Sequence, residues 1–169
     1  MNLTLRVATE LRTFIVKQSR PWVEKYPSIA APEDRVLMEA KFYQSVSHFG
    51  EIAERMPRLL GCDEKNFVAL LEDLGETADF TDLYNDGLAS FAPLHELCQW
   101  LAALHGAEFD LETRRCLENI EMRKLNHEHL YCYPLRHDNG LDLDAITPGL
   151  AVAAAELKGD AAYLSAVAE

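Results

Sequence analysis

The sequence predicts an α+β protein in which an antiparallel sheet with one long helix is followed by a helical region. Three observations lead to this prediction: alternating apolar residues near the start of the chain, helical apolar spacing from residue 32 onward, and a change of period after about residue 80. The chain has 169 residues, 49% of them hydrophobic and 26% charged. This length and composition are typical of about one ordinary folded domain.

Two strands are predicted at the start of the chain. Leu3, Leu5 and Val7 alternate with more polar residues, which is the period of a half-buried strand. Residues 9–12 are short enough for a hairpin turn, and residues 13–17 resume an extended, β-branched run. The first strand would lie at a sheet edge, where its unpaired backbone groups could accept another strand.

The next elements complete a β-β-α-β-β order. Residues 18–32 contain three prolines and are predicted to be an irregular connection. Pro32 and the two acids after it indicate the start of a helix with acids in its first turn, and apolar spacing continues to about Ser47. Two apolar runs at 58–62 and 67–71, separated by four polar residues, predict a second hairpin.

The second half of the chain is predicted to be helical. The expected helices cover residues 91–106, 112–126, 148–157 and 160–167. The short apolar run at 130–135 is the one segment in this half that could form a strand. A tight hinge near Gly75 would divide the chain into parts at 1–75 and 76–169.

Composition narrows the possible partners. The net charge of -12 argues against nucleic acid, because phosphate-backbone binding needs clustered Lys and Arg. The acidity could attract a cationic small substrate, although it is equally common in plain cytosolic proteins. Four cysteines without a CxxC pair suggest reduced thiols rather than zinc ligands or disulfides. No apolar run approaches the ~18 residues of a membrane span, so a cytoplasmic protein without a membrane partner is expected.

Lys17 and Glu39 are the most informative polar residues. Lys17 lies in an apolar strand, and a buried strand lysine is costly unless it meets an anion. Glu39 lies near the apolar stripe of the first long helix, which could supply that anion. Two simpler interpretations remain open: Lys17 could extend its ammonium into water, and Glu39 could pair with Arg35 or Lys41 on its own helix.

These residues belong to a pattern that resembles a known family. Residues 14–27, followed by Glu39 and by the run Glu-Asp-Leu-Gly at 72–75, resemble the N-terminal lobe of the aminoglycoside phosphotransferase superfamily, which has a protein-kinase-like fold. The segment Leu-Asn-His-Glu-His-Leu at 125–130 is similar to one in methylthioribose-kinase-like small-molecule kinases. Leu-Ala-Ala-Leu-His at 101–105 resembles the end of the long helix that begins the C-terminal lobe in such enzymes.

The resemblance implies an ATP site and assigns its residues. Lys17 would hold the α and β phosphates, and Glu39 would pair with Lys17 so that its ammonium points into the cleft. Leu71 would lie at the back of the adenine pocket. The backbone C=O of Glu72 and the backbone N–H of Leu74 would bond adenine. The reaction would be Mg²⁺-dependent phosphoryl transfer from ATP to a hydroxyl of a small substrate.

The sequence also departs from the family pattern. The family has a further strand and a phosphate-covering loop that would precede Leu3, and its catalytic and metal-binding aspartates would follow this chain. His137, Asp138 and Asn139 mimic a catalytic loop but lack its spacing, so no catalytic or metal-binding residue is assigned. Residues 1–75 would then be an incomplete N-terminal lobe and residues 76–169 a partial helical C-terminal lobe, in a fragment that is truncated at both ends and inactive alone.

Two alternatives to the kinase interpretation are kept. The chain could be a non-catalytic nucleotide-binding or interaction module that pairs through its exposed first strand, as a homodimer or with a complementary fragment. It could also be an unrelated α+β domain in which Lys17 and Glu39 never meet. His127 and His129 have metal-ligand side chains, but their alternating positions suit a strand face or a turn rather than two ligands on one helix.

Overall fold

The computed structural model describes residues 2–77, 79–80 and 91–168. It has a four-stranded antiparallel sheet and several helices, so the predicted α+β class is confirmed. The strands are β1 Leu3–Ala8, β2 Thr13–Gln18, β3 Trp22–Val23, β4 Tyr26–Ala30, β5 Leu59–Asp63 and β6 Val68–Glu72. The helices are α1 Arg35–Val46, α2 Gly50–Ala53, α3 Phe91–Gly106, α4 Leu111–Cys116, α5 Ile120–Asn126, α6 Tyr133–Leu135, α7 Leu150–Gly159 and α8 Ala161–Ala168. A π-helical segment, His127–Cys132, lies between α5 and α6.

The main sheet joins two hairpins through its central strands. Its order is β1-β2-β6-β5, so both predicted hairpins are confirmed and β1 lies at an edge. Lys17 of β2 is opposite Thr4 on β1 and opposite Ala69 on β6. Residues directly opposite in antiparallel strands share a face of the sheet. The register therefore puts Lys17 on the same face as Ala69 and, two residues along β6, Leu71.

Helix α1 packs on this face and forms the main core with it. The side chains of Val36, Ala40, Ala69 and Leu71 are all buried, with Leu71 only 2% exposed. Burying such apolar surface stabilises the fold by roughly 25 cal/mol per Å² removed from water. Because Glu39 belongs to the same helix, this packing holds it close to the sheet.

The first turn of α1 is fixed by residues that follow β2. The side chain of Ser19 donates to the carbonyl of Glu33 at 2.5 Å and accepts from the backbone N–H of Val36 at 3.3 Å. Arg35 donates to the carbonyls of Arg20 and Pro32, each at 2.6 Å. The helix begins at Arg35, so the acids predicted for its first turn precede it. A distant serine therefore satisfies helix N–H groups that a local cap usually serves.

The prediction of an irregular connection over residues 18–32 is wrong in one respect. Residues 22–23 and 26–30 form the small antiparallel hairpin β3–β4. Proline is tolerated in an edge position because it lacks only one ladder donor, and Pro27 lies within such a two-stranded sheet. Three prolines in the segment masked this hairpin in the sequence.

The single helix predicted at 112–126 is two helices, α4 and α5. The break falls before Ile120, where Asn119 adopts a left-handed backbone with φ of 47°. Asparagine tolerates this conformation better than most residues, so it can end one helix and redirect the chain. Asp110 caps α4 by accepting from the backbone N–H of Thr113 at 2.7 Å.

The prediction of a possible strand at residues 130–135 is also wrong. These residues continue α5 as the π-helical segment and then form α6. A short apolar run does not distinguish a strand from a helix, since its periodicity is ambiguous over so few residues. His127 and His129 therefore lie on helical turns rather than on a strand face.

The chain divides into two compact units, Met1–Asn119 and Ile120–Glu169. The predicted boundary near residue 75 falls inside the first unit, and the assignment of two kinase-like lobes stays a prediction. Among residues 120–168 no apolar side chain is buried, and the buried residue is Asn139. No helix in the described part of the chain is both long enough and apolar enough to cross a membrane.

Candidate functional site

Lys17 and Glu39 meet in the structure. The Lys17 Nζ lies 2.5 Å from Glu39 Oε1, and each side chain is about a quarter exposed, at 25% and 26%. The second carboxylate oxygen of Glu39 accepts from the side-chain amide of Asn2 at 3.3 Å. The two simpler interpretations, a solvated Lys17 and a Glu39 paired within its helix, are therefore wrong in this structure.

A small cleft of 230 Å³ opens beside this ion pair. Four of the residues predicted to contact ATP line it, namely Lys17, Leu71, Glu72 and Leu74. Glu39 is not part of the lining and acts on the cleft through Lys17. Sites that enclose a drug-sized ligand usually measure about 300–1,000 Å³, so this cleft is smaller than such a site.

Asp73 organises the chain where it leaves β6 for the rest of the protein. Its carboxylate is only 4% exposed and accepts from the backbone N–H of Gly75 at 3.0 Å. That bond, together with Thr13 and Arg6, holds the pKa of Asp73 below its usual value. Gly75 has a φ of 79°, a conformation that side chains other than glycine rarely adopt. The predicted hinge near Gly75 therefore coincides with a tight turn.

Arg6 on the edge strand β1 reaches this turn. Its Nε lies 2.9 Å from Asp73 Oδ2, its Nη2 donates to Asp73 Oδ1 at 3.0 Å, and the same Nη2 donates to the carbonyl of Gly75 at 2.7 Å. Two parallel bonds from one guanidinium to one carboxylate fix both groups in orientation as well as in distance. Arg6 also lines the cleft.

The side chain of Glu72 is bound by Arg58. Arg58 donates to both of its carboxylate oxygens, from Nη2 at 2.9 Å and from Nε at 3.1 Å. These bonds hold the pKa of Glu72 below its usual value. An exposed pair of this kind contributes little to stability. Arg58 therefore engages the side chain of Glu72, and the Arg58 carbonyl also accepts from the backbone N–H of Glu72 at 2.9 Å.

Tyr43 also lines the cleft. It lies one helical turn after Glu39 on α1, and burial, with a smaller contribution from the Glu39 charge, raises the pKa of its hydroxyl. The phenol is therefore protonated and can donate a hydrogen bond. Tyr43 also lines a larger cavity of 790 Å³ between α1, α2 and β5, which includes neither Lys17 nor Glu39.

Sequence reasoning missed Arg6, Asp73 and Tyr43 as parts of the site. Arg6 and Asp73 are far apart in the chain, and each has the appearance of an ordinary surface residue in the sequence. The signal that could have found Tyr43 is its spacing of four residues from Glu39, which puts both on one side of a helix.

Asn139, one of the three residues that mimic a catalytic loop, has a structural role. Its side-chain amide donates to the carbonyls of Tyr133 and Pro134 at 3.2 and 2.8 Å, and its side-chain oxygen accepts from the N–H of Leu141 at 3.0 Å. Asn139 therefore stabilises the turn that follows α6. Within residues 2–77, 79–80 and 91–168, no group of three or more His, Cys, Asp or Glu side chains is arranged to hold a metal ion.

No protein-family model matches this chain, and a search of curated proteins finds no match either. The chemistry of the site itself therefore has to support any assignment of function.

Proposed function

We propose that this chain is the nucleotide-binding part of an ATP-dependent phosphotransferase that acts on a hydroxyl of a small molecule. The observation on which the proposal depends is the Lys17–Glu39 ion pair, formed between a strand and a helix beside a cleft. The predicted likeness to kinase-like small-molecule phosphotransferases gives this geometry its functional meaning.

The position of Lys17 suits a phosphate ligand. Its ammonium is partly exposed, so an anion can approach it, while Glu39 limits the positions it can take. Phosphoryl transfer depends mostly on positioning and on stabilising negative charge, and a lysine oriented by a helix carboxylate provides both. Lys17 would contact the α and β phosphates of ATP at the border of the cleft that it lines.

The apolar part of the cleft suits an aromatic base. Leu71 supplies a buried apolar wall at 2% exposure, and the backbone groups of Glu72 and Leu74 would bond the edge of adenine. Aromatic bases favour such apolar slots that contain a few polar groups. Mg²⁺ would arrive on the phosphates, and we assign it no protein ligand. The small hydroxyl-bearing substrate is likewise left without assigned residues.

The proposal predicts saturable binding of ATP by the purified chain. Isothermal titration calorimetry with ATP, with and without Mg²⁺, measures it directly, and ADP should compete for the same site because Lys17 contacts the α and β phosphates. Inorganic phosphate serves as the control ligand and should bind far more weakly, because it has no base to occupy the cleft. Absence of ATP binding by folded protein would contradict the proposal.

A second function is favoured by the free edge of the sheet. Among the residues that the structure describes, β1 pairs with β2 on one side and with no strand on the other, and its Leu5 side chain is 50% exposed. An open edge strand with apolar side chains is a template for pairing with another strand. The chain could then act as an interaction module, either as a homodimer or by accepting a complementary fragment.

This second function predicts a dimer that depends on β1. We expect light scattering after size exclusion to give the mass of two chains, and Leu5→Lys to return the protein to a monomer because an edge lysine blocks strand pairing. Lys at the exposed Leu11 of the β1–β2 turn is the matched control. This alternative would be refuted if the wild-type chain is a monomer and also binds no peptide that could pair with β1.

A further inference from the structure

Arg6 lines the cleft in addition to stabilising the turn after β6. It is opposite Ile15 across β1 and β2, and Ile15 is opposite Leu71 across β2 and β6. These three side chains therefore form one row on the face of the sheet that carries Lys17, which is two residues beyond Ile15 on the same strand. The row ends at the edge strand with a cation.

The guanidinium of Arg6 is held in a fixed orientation. Asp73, at 4% exposure, receives two bonds from it, and the carbonyl of Gly75 receives a third. These bonds use Nε and Nη2, which belong to one edge of the planar group. The Arg6 side chain nevertheless stays 53% exposed, so much of it remains accessible to a ligand.

A flat, oriented cation beside apolar residues suits a flat aromatic ligand. Guanidinium groups stack on aromatic planes, and their weak hydration lowers the cost of such contacts. Ile15 and Leu71 continue the same wall with apolar surface. Two nitrogens of Arg6, Nε and Nη2, already bond Asp73 and the carbonyl of Gly75, so its planar face rather than that N–H edge is the part presented to a ligand.

We propose that Arg6 is a base-binding residue, whose guanidinium stacks on the base of the nucleotide while Lys17 contacts its phosphates. This inference rests on the function proposed above and adds to it the residue that recognises the base. It separates the site into two parts, a base-binding part at Arg6 and a phosphate-binding part at Lys17.

The test compares three ligands that contain different parts of the nucleotide. Calorimetry with ATP, adenosine and inorganic tripolyphosphate is performed on the wild-type chain and on Arg6→Leu. We expect Arg6→Leu to lower the affinity for adenosine and for ATP by about 5- to 30-fold, which is the range for a partly desolvated cation–π contact. The affinity for tripolyphosphate should change by less than about twofold.

Two further variants separate recognition from stability. Arg6→Lys keeps the charge but removes the planar guanidinium, and it should also lower the affinity for adenosine. Arg12→Leu, in the exposed β1–β2 turn, is the matched control and should leave all three ligands unchanged. Equal losses for all three ligands in Arg6→Leu would show that Arg6 only supports the fold and would overturn the inference.

The outcomes also distinguish this inference from the proposed function. If the wild-type chain binds ATP and tripolyphosphate while Arg6→Leu binds adenosine and ATP unchanged, only the role of Arg6 is refuted. If the folded wild-type chain binds none of the three ligands, the proposed function and this inference are both refuted.

Discussion

Replacing Lys17 by methionine is expected to lower the affinity for ATP by about 10- to 150-fold. The range corresponds to the loss of a hydrogen bond between charged groups, about 1.5–3 kcal/mol. Methionine keeps the length and apolar stem of lysine, so β2 should retain its packing. The variant also leaves the Glu39 carboxylate, a quarter exposed, without its cation beside the incoming phosphates. Calorimetry with ATP and ADP measures the change.

The control for Lys17→Met is Lys41→Met, which removes an equal charge from an exposed position on α1. It should alter ATP affinity by less than about twofold, since exposed charges are screened within about 10 Å at 0.1 M salt. Adding Glu39→Gln to Lys17→Met measures the coupling of the two residues, because residues in contact show non-additive effects. Equal affinities in wild type and Lys17→Met would remove the basis of the ATP assignment.

Replacing Ile52 by alanine is expected to lower the free energy of unfolding by about 2–5 kcal/mol. Ile52 is 1% exposed on α2, and its carbonyl accepts a hydrogen bond from the indole of Trp100 at 3.2 Å. Removing its buried methyl and methylene groups leaves a cavity that the surrounding helices can fill only in part. Urea titration followed by the fluorescence of Trp22 and Trp100 measures the change.

Two matched variants calibrate this prediction. Ile52→Val removes a single methylene and should cost about 0.5–1.5 kcal/mol. Leu60→Ala truncates a side chain that is 38% exposed, and should cost less than Ile52→Ala because water already reaches that site. A larger loss for Leu60→Ala than for Ile52→Ala would show that Ile52 is not part of the packed core.

Much of the first unit could be predicted because its signals are local. Leu3, Leu5 and Val7 alternate over a single strand, and a short polar turn follows them, so one hairpin can be inferred without its neighbours. Glu39 lies on a strongly periodic helix, and a resemblance in the order of motifs linked it to Lys17. The sequence therefore predicts both members of the ion pair that the structure shows.

The parts that could not be predicted depend on long-range geometry. Arg6 occupies the polar face of its strand, and only the register across β2 and β6 reveals that it reaches the cleft. Asp73 resembles a turn residue, whereas its 4% exposure is a property of the folded state. The π-helical segment was missed for another reason: its apolar residues satisfy more than one backbone period.

The pairing of β2 with β6 also bears on the order in which parts of the sheet fold. Each hairpin joins strands that are neighbours in the chain, whereas Lys17 and Ala69 come together across a long intervening segment that includes α1. Closing such a segment costs chain entropy before its contacts stabilise anything, so it slows folding. We therefore expect the pairing of β2 with β6 to be a late step in the folding of this unit, and it is the pairing that brings Lys17 of one hairpin beside Leu71 of the other.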